Sequence, residues 1–497
     1  MDMWNFVLLV FFHFVAGDFG HHVNPGLQVR LSQHGLQYAA DVATDLLAKQ
    51  VKTLDIPDQS GHANVKVGKV QYEFSHIRLK TFKPSDSTIS TDPITWSLHK
   101  TSVAMTAKWW YKYTLGSIDI KDSGSMDMSL DLHLTASVVL GADTRGHATM
   151  HSKSCSSSVT HVDVHFHGGA SWLYNLFASQ ADDAIQSAIK QQLCSRLKQF
   201  IDEQAAEELA TLPVVVDVYD DVMLDYSLVD KPTLTSTFID IMFKGEFFWK
   251  TDKQDYPFAA HVIDTNITHT RMVNFWVTDY AINTLCYAAF KHDVLMYNLT
   301  RADLPKAEQF TLNTTCPTGL PCIGKLIPQI GKLYPNSYVG LRMRVTSAPI
   351  IDVSKHLAQT NWTGVVDYHV NLPNGTSSKF MFSTSLDVQF DLKVKLEKLN
   401  VTAQIQDFRL NMSLIKSSIG SVNVSLLRSV IDLVVKVFVI PRLNAVGATG
   451  LRLPSLDHVS YEHAELPWVP NALFVAADIK HDDEPNTSLT FKYYVTP

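Results

Sequence analysis

The chain has 497 residues, of which 46% are hydrophobic and only 18% charged. That composition excludes a disordered chain and supplies material for more than one sizeable core. A formal net charge of −7 argues against a generic nucleic-acid binder, and five cysteines are too few for a disulfide-scaffold miniprotein.

Met3 to Gly17 is a short apolar run ending in small residues. Val15 and Gly17 suit positions −3 and −1 of a signal-peptidase site, so residues 1–17 are expected to be a signal peptide and the protein to be secreted and extracellular. Asn24-Pro25-Gly26 has turn chemistry, and Leu27, Val29 and Leu31 then alternate as in a strand. Leu36, Ala39, Ala40, Ala43, Leu46 and Leu47 follow at helical spacing until Pro57 ends the segment.

Residues 62–168 read mostly as strand. Met126, Met128, Leu130, Leu132 and Leu134 alternate with polar residues, which predicts a long strand in a curled antiparallel sheet. Phase changes near Gly68 and Ser75 predict bulges. His161, Asp163, His165 and His167 share one strand face. Their side chains are metal-ligand types, but one strand sets them in a row rather than around an ion, so a solvated face and no metal site is the reading.

Ser171–Gln204 has the pattern of a long amphipathic helix, with Trp172, Leu173, Leu176, Phe177, Ile185, Ile189, Leu193 and Leu197 in its stripe, and Pro213 closes the unit. Residues 231–265 form a connecting stretch with a strand expected at Phe238–Phe248. A second β-rich half follows, where Leu386, Val388, Phe390, Leu392, Val394 and Leu396 alternate with polar residues. Leu426 to Ile440 is a second apolar helix, with Arg428, Asp432 and Lys436 as its polar ridge and Pro441 as its expected stop. Each half therefore sets long strands before one apolar helix, a duplication of architecture rather than of sequence. A stripe wider than one sheet contact needs a second apolar partner, either protein or a lipid chain.

Cys155 and Cys194 are the favoured disulfide pair. Cys316 and Cys322 bracket CPTGLPC and suit a second, local bridge, which would leave Cys286 over, although other pairings of the last three stay open. Asn266, Asn298, Asn313, Asn361, Asn374, Asn400, Asn411, Asn423 and Asn486 each head an N-x-[ST] triplet, so the second half is expected to be glycosylated. No G-x-S-x-G, P-loop, G-x-G-x-x-G or H-E-x-x-H motif occurs, and the chain reads as a non-enzyme without a cofactor.

NPGLQVRLSQHGLQYA (24–39), KGEFF (244–248), RMVNFWVTDYAINT (271–284), LIPQIGKLYPN (326–336), VFVIPRLN (437–444) and NALFVAADI (471–479) run in order along the chain. Together they resemble the bactericidal/permeability-increasing protein and lipopolysaccharide-binding protein family. The resemblance implies an α+β boomerang of two similar barrels, each a twisted antiparallel sheet wrapped around a long helix, joined by a central antiparallel sheet. On this chain the N-terminal lipid-binding barrel would be 18–230, the linker and central-sheet segment 231–265, and the C-terminal barrel 266–497. Cys155 and Cys194 fall where the family places its disulfide. The resemblance also implies bound phospholipid, with Leu46, Leu173, Leu176, Phe177, Ile185, Ile189, Leu426, Leu427, Val430 and Val434 lining apolar pockets.

Lys66, Lys69, Lys108 and Lys112 are the positions that resemble the family's basic N-terminal tip, which holds the phosphates of lipid A. Trp109, Trp110, Tyr111 and Tyr113 interleave with them as in an exposed interfacial loop. The expected partners are lipopolysaccharide, phospholipids and the bacterial outer-membrane surface, in antibacterial innate immunity, with no nucleic acid; a receptor is left unassigned. Through residue 200, however, 17 basic residues meet 17 acidic ones. That neutrality keeps open the alternative of a phospholipid or neutral-lipid transfer protein of the same fold family.

Overall fold

The computed structural model describes residues 24–50, 56–64, 68–168, 186–187, 189, 193–219, 221–253, 256–265, 270–354, 357–373, 378–397, 400–449, 451–452 and 459–482. The expected signal peptide and much of the helix expected over Ser171–Gln204 lie outside them.

Strand β1 (Leu27–Ser32) leads into helix α1 (Gln33–Gln50). Then come β2 (Gln59–Asn64), β3 (Lys69–Lys83), β4 (Asp86–Thr91), β5 (Ile94–Leu115), β6 (Ile118–Ala142) and β7 (Ala148–His167). They form a sheet of order β2-β3-β5-β6-β7, with β4 paired to β5. β6 is 25 residues long, and its Met126, Met128, Leu130, Leu132 and Leu134 are all buried, as the alternation predicts. The phase change at Ser75 is a register shift between Ser75 and Arg78. Residues 193–199 are helical and run through a π segment, Phe200–Ala205, into α2 (Ala206–Thr211), so this helix passes the expected end at Gln204 and stops just before Pro213.

β8 (Val215–Tyr219) and β9 (Val222–Asp225) pair with each other, and β10 (Thr233–Leu234) follows. The single strand expected at Phe238–Phe248 is two: β11 (Phe238–Phe243) and β12 (Glu246–Trp249). Gly245, at φ 63°, turns the backbone between them, and the two strands join different sheets. β13 (Val273–Thr278) continues into α3 (Asp279–Lys291), where the Thr278 hydroxyl caps the helix by accepting from the Ala281 N–H.

The second half repeats the plan. β14 (Met296–Leu299), β15 (Tyr338–Val345), β16 (Ile350–Val353), β17 (Ala358–Asn371), β18 (Ser378–Glu397), β19 (Asn400–Ser417) and β20 (Leu451–Arg452) form one sheet. Helix α4 (Val424–Val434) passes through a π segment, Val435–Val439, into α5 (Ile440–Thr449). Pro441 therefore does not stop the helix. The widened π turn precedes the residue that lacks an N–H, and the helix resumes with Pro441 in its first turn.

β21 (Val459–Glu465), β22 (Trp468–Val469) and β23 (Ala472–His481) return to a central sheet of order β10-β11-β1-β13-β23-β21. Its strands come from the start, the middle and the end of the chain. β1 sits at its centre although it lies inside the 18–230 segment. Arg30 on β1 faces Asp240 on β11 through two 2.6 Å hydrogen bonds, and its guanidinium lies 3.7 Å from the Phe238 ring centroid. The result is an α+β chain with a curled antiparallel sheet in each half and a seven-stranded sheet that all three parts of the sequence supply.

Candidate functional site: apolar interiors and the tip of the N-terminal sheet

The inner face of the N-terminal sheet is apolar from β3 to β7. Val70, Phe74, Leu98, Met105, Trp109 and Met126 are among its buried side chains. Leu47 and Ala48 of α1 pack on it, as do Ile189, Leu193 and Leu197. Two ties hold the 193–205 helical run against β7. One is the Cys155–Cys194 disulfide; the other is Asp202, which accepts from the Ser152 N–H and hydroxyl, both at 2.7 Å. Burial alone would raise the Asp202 carboxyl, but the Ser152 hydrogen bonds bring it below the usual carboxylate range.

In the second half, Tyr368 and Phe382 stack at 4.2 Å within a core that includes Met381, Ile330 and Leu427. Cys316 and Cys322 are bridged. Cys286 is left as a half-buried thiol on α3, pushed up to about 11 by burial.

The aromatic residues expected in an exposed loop are placed differently. Trp109 and Tyr111 lie inside β5 and point into the core, 5% and 4% exposed. Strand alternation sends them inward together and leaves Lys108 and Lys112 on the outer face. Gly124 on β6 stands opposite Trp109, where any Cβ would sit 2.7 Å from the indole, so only glycine leaves room for that ring.

The distal end of this sheet is the β5–β6 hairpin, whose two-residue turn is Gly116-Ser117. Leu115, Ile118 and Ile120 are 40%, 61% and 42% exposed there. Such side chains, clustered on a loop tip, cost no core packing and present an apolar wedge to whatever the tip meets. Lys69 pairs across from Thr114, and Lys112 stands opposite Lys121, so three cations on three strands share the outer face of the tip while the aliphatic residues continue the inner one. Lys112 Nζ is also 2.8 Å from Asp119 Oδ2. Hydrogen bonds from Lys112 and Thr114 hold the Asp119 carboxyl below its ordinary value.

Of the four expected phosphate ligands, the structure brings Lys69 and Lys112 together at this tip. Lys108 is exposed on the same face, opposite Ser75 and further down the strand; Lys66 lies outside the described residues. Lys121 and the aliphatic tip escaped the sequence reading. Their signal was the Gly116-Ser117 turn dipeptide between Leu115 and Ile118.

Among the expected lipid-lining residues, Ile189 packs on the N-terminal core, Leu427 is buried and Leu426 is 44% exposed. Leu173, Leu176, Phe177 and Ile185, and the side chains of Leu46, Val430 and Val434, lie outside the described set. A cavity of about 500 Å³ lies elsewhere, lined by Phe290, Leu295, Met296 and Val345 with Lys291 and Arg344 beside them. Asn298, Asn361, Asn411 and Asn423 are exposed, Asn313 and Asn400 half-buried, and Asn266, Asn374 and Asn486 outside the described residues. Among the described residues no helix is long and apolar enough to cross a membrane, and no histidine, cysteine and carboxylate group has metal-binding geometry.

Two family models match. The N-terminal domain of the LBP / BPI / CETP family covers residues 35–204 and its C-terminal domain covers 217–481. The bactericidal permeability-increasing protein of Sebastes schlegelii is 28% identical over 92% of this chain and 96% of its own length. The lipopolysaccharide-binding protein of Bos taurus is 27% identical over 94% of this chain and 96% of its own, and the Homo sapiens protein 26% over 92% and 94%. A crystal structure of lipopolysaccharide binding protein superposes with a TM-score of 0.60 at 25% identity, covering 92% of this chain and all of that one.

Proposed function

The chain belongs to the LBP / BPI / CETP family, and from that premise we propose that it is a secreted lipid-binding protein that recognises bacterial lipopolysaccharide in antibacterial innate immunity. The single observation that carries the reading is the β5–β6 tip, which carries exposed Leu115, Ile118 and Ile120 on one face and Lys69, Lys112 and Lys121 on the other. Lipid A offers the matching pair of chemistries, phosphates and acyl chains. Ammonium groups serve phosphates as point charges, and aliphatic side chains serve the acyl region. Acyl chains that enter the apolar interiors would add about 0.8 kcal/mol for each buried CH₂. Bound phospholipid is part of the proposal. So is the division into an N-terminal barrel over 18–230, a connecting segment over 231–265 and a C-terminal barrel over 266–497. The names of the bovine, human and fish relatives support the choice of lipopolysaccharide.

A second reading is phospholipid or neutral-lipid transfer. It is favoured by the balance of 17 basic against 17 acidic residues through position 200, which gives little long-range pull toward an anionic surface. The test is lipopolysaccharide binding by the Lys66→Ala/Lys69→Ala/Lys108→Ala/Lys112→Ala protein, beside a Lys121→Ala variant. Weakened binding in both supports the tip. Unchanged affinity in both removes it as the phosphate site.

A further inference from the structure

The outer face of the N-terminal sheet carries a field of histidines that the lipid-binding reading does not use. On β7, His161 Nδ1 lies 3.3 Å from Asp131 Oδ2, His165 Nε2 3.2 Å from Asp163 Oδ2, and His167 Nε2 2.9 Å from Asp127 Oδ2. The three imidazoles are 83%, 69% and 57% exposed, so all can reach a partner. On β6, His133 is half-buried and its Nδ1 takes the Lys100 N–H at 3.4 Å. Of the 21 histidines, 13 lie in the first 200 residues.

The charged groups facing this patch come from four strands. β3 supplies Arg78, Lys80, Lys83 and, one row further out, Glu73; β5 supplies Lys100 and Lys108; β6 supplies Asp127 and Asp131; β7 supplies Asp163. Lys80 Nζ is 3.7 Å from Asp127. Five cations therefore meet four carboxylates, and the face is close to balance while its imidazoles are neutral. Protonating His133, His161, His165 and His167 adds four positive charges to the net charge of that face. The hydrogen bond from His167 holds the Asp127 carboxyl below the usual range, so that partner stays ionised as the imidazoles charge.

We propose that this face is an acid-gated docking surface for an anionic lipid bilayer, close to charge balance while its imidazoles are neutral and cationic once they are protonated. The charges are spread over an open sheet and do not converge on a pocket, which suits a plane of phosphates better than one small anion. The inference stands apart from lipopolysaccharide recognition, because its partner is any anionic bilayer and, Lys108 aside, its groups lie away from the tip.

The test is flotation of the full chain with phosphatidylglycerol/phosphatidylcholine vesicles and with pure phosphatidylcholine vesicles at pH 7.4 and 5.5. Association with the anionic vesicles is expected to rise about tenfold or more at pH 5.5 and to fall in high salt, with no rise on phosphatidylcholine. His133→Gln/His161→Gln/His165→Gln/His167→Gln is expected to lose most of the rise. Asp127→Asn/Asp131→Asn/Asp163→Asn is expected to bind anionic vesicles at pH 7.4 without acid. Binding that ignores pH, an equal rise on neutral vesicles, or a full rise in the histidine variant overturns the proposal. So does an aspartate variant that binds no better than wild type at pH 7.4. Lipopolysaccharide affinity of the histidine variant at pH 7.4 is expected to be unchanged, which separates this surface from the tip.

Discussion

Lys112 and Asp119 face each other across the β5–β6 hairpin at 2.8 Å, so one of the cations at the tip is already engaged. A phosphate must compete with that carboxylate for the ammonium group. Asp119→Asn removes the competitor and is expected to tighten lipopolysaccharide binding about threefold at low salt, with the gain fading as salt rises. Titration of fluorescent endotoxin at two ionic strengths checks it. A loss of affinity would mean that Asp119 serves to hold Lys112 in place.

The two disulfides close loops of very different size. Cys155 and Cys194 are 39 residues apart, Cys316 and Cys322 only 6. In the chain-entropy model the longer loop contributes about 4 kcal/mol and the shorter about 2 kcal/mol. Cys155→Ala/Cys194→Ala is therefore expected to lower the denaturation midpoint more than Cys316→Ala/Cys322→Ala does, and chemical denaturation followed by fluorescence measures both.

Arg30 and Asp240 join β1 to β11 across 210 residues of sequence, with side chains only 12% and 11% exposed. Removing one partner leaves a poorly hydrated charge in the central sheet. Asp240→Ala is expected to cost about 3 kcal/mol, whereas Arg30→Met/Asp240→Leu costs less because no charge is stranded. Equal losses in the single and the double variant would contradict this account.

Asp202 ties the helical run after Cys194 to β7 through Ser152. Its carboxyl is lowered in the folded state, so its contribution is fully present above the unfolded carboxylate range. That contribution is lost as pH falls through the lower folded value. Asp202→Asn keeps an acceptor but does not titrate. Its stability is expected to fall less steeply than that of wild type below about pH 4, as read by thermal melts across pH.

Much of the architecture was legible because period-2 alternation survives in long strands. Met126 to Leu134 marked β6 and its buried face. The family resemblance supplied the order of parts, and the two family models agree with it. What escaped depended on partners distant in sequence. Trp109 is inside because Gly124 lies opposite it, and no local pattern says which residue will stand there. β11 and β12 part at Gly245 because their edges pair with different sheets. Pro441 read as a stop because the π turn before it has no sequence signature. At the tip, Lys69 and Lys112 were visible, but the place of Lys121, the Lys112–Asp119 pairing and the exposure of Ile118 follow from hairpin register.

The most direct measurement is a competition on the full chain loaded with a fluorescent phospholipid, displaced by either lipopolysaccharide or phosphatidylcholine, with extracted lipids identified by mass spectrometry. The account predicts phospholipid in the purified protein and displacement by lipopolysaccharide at a concentration at least tenfold lower. A protein that carries no lipid, or one displaced equally well by phosphatidylcholine, would contradict it.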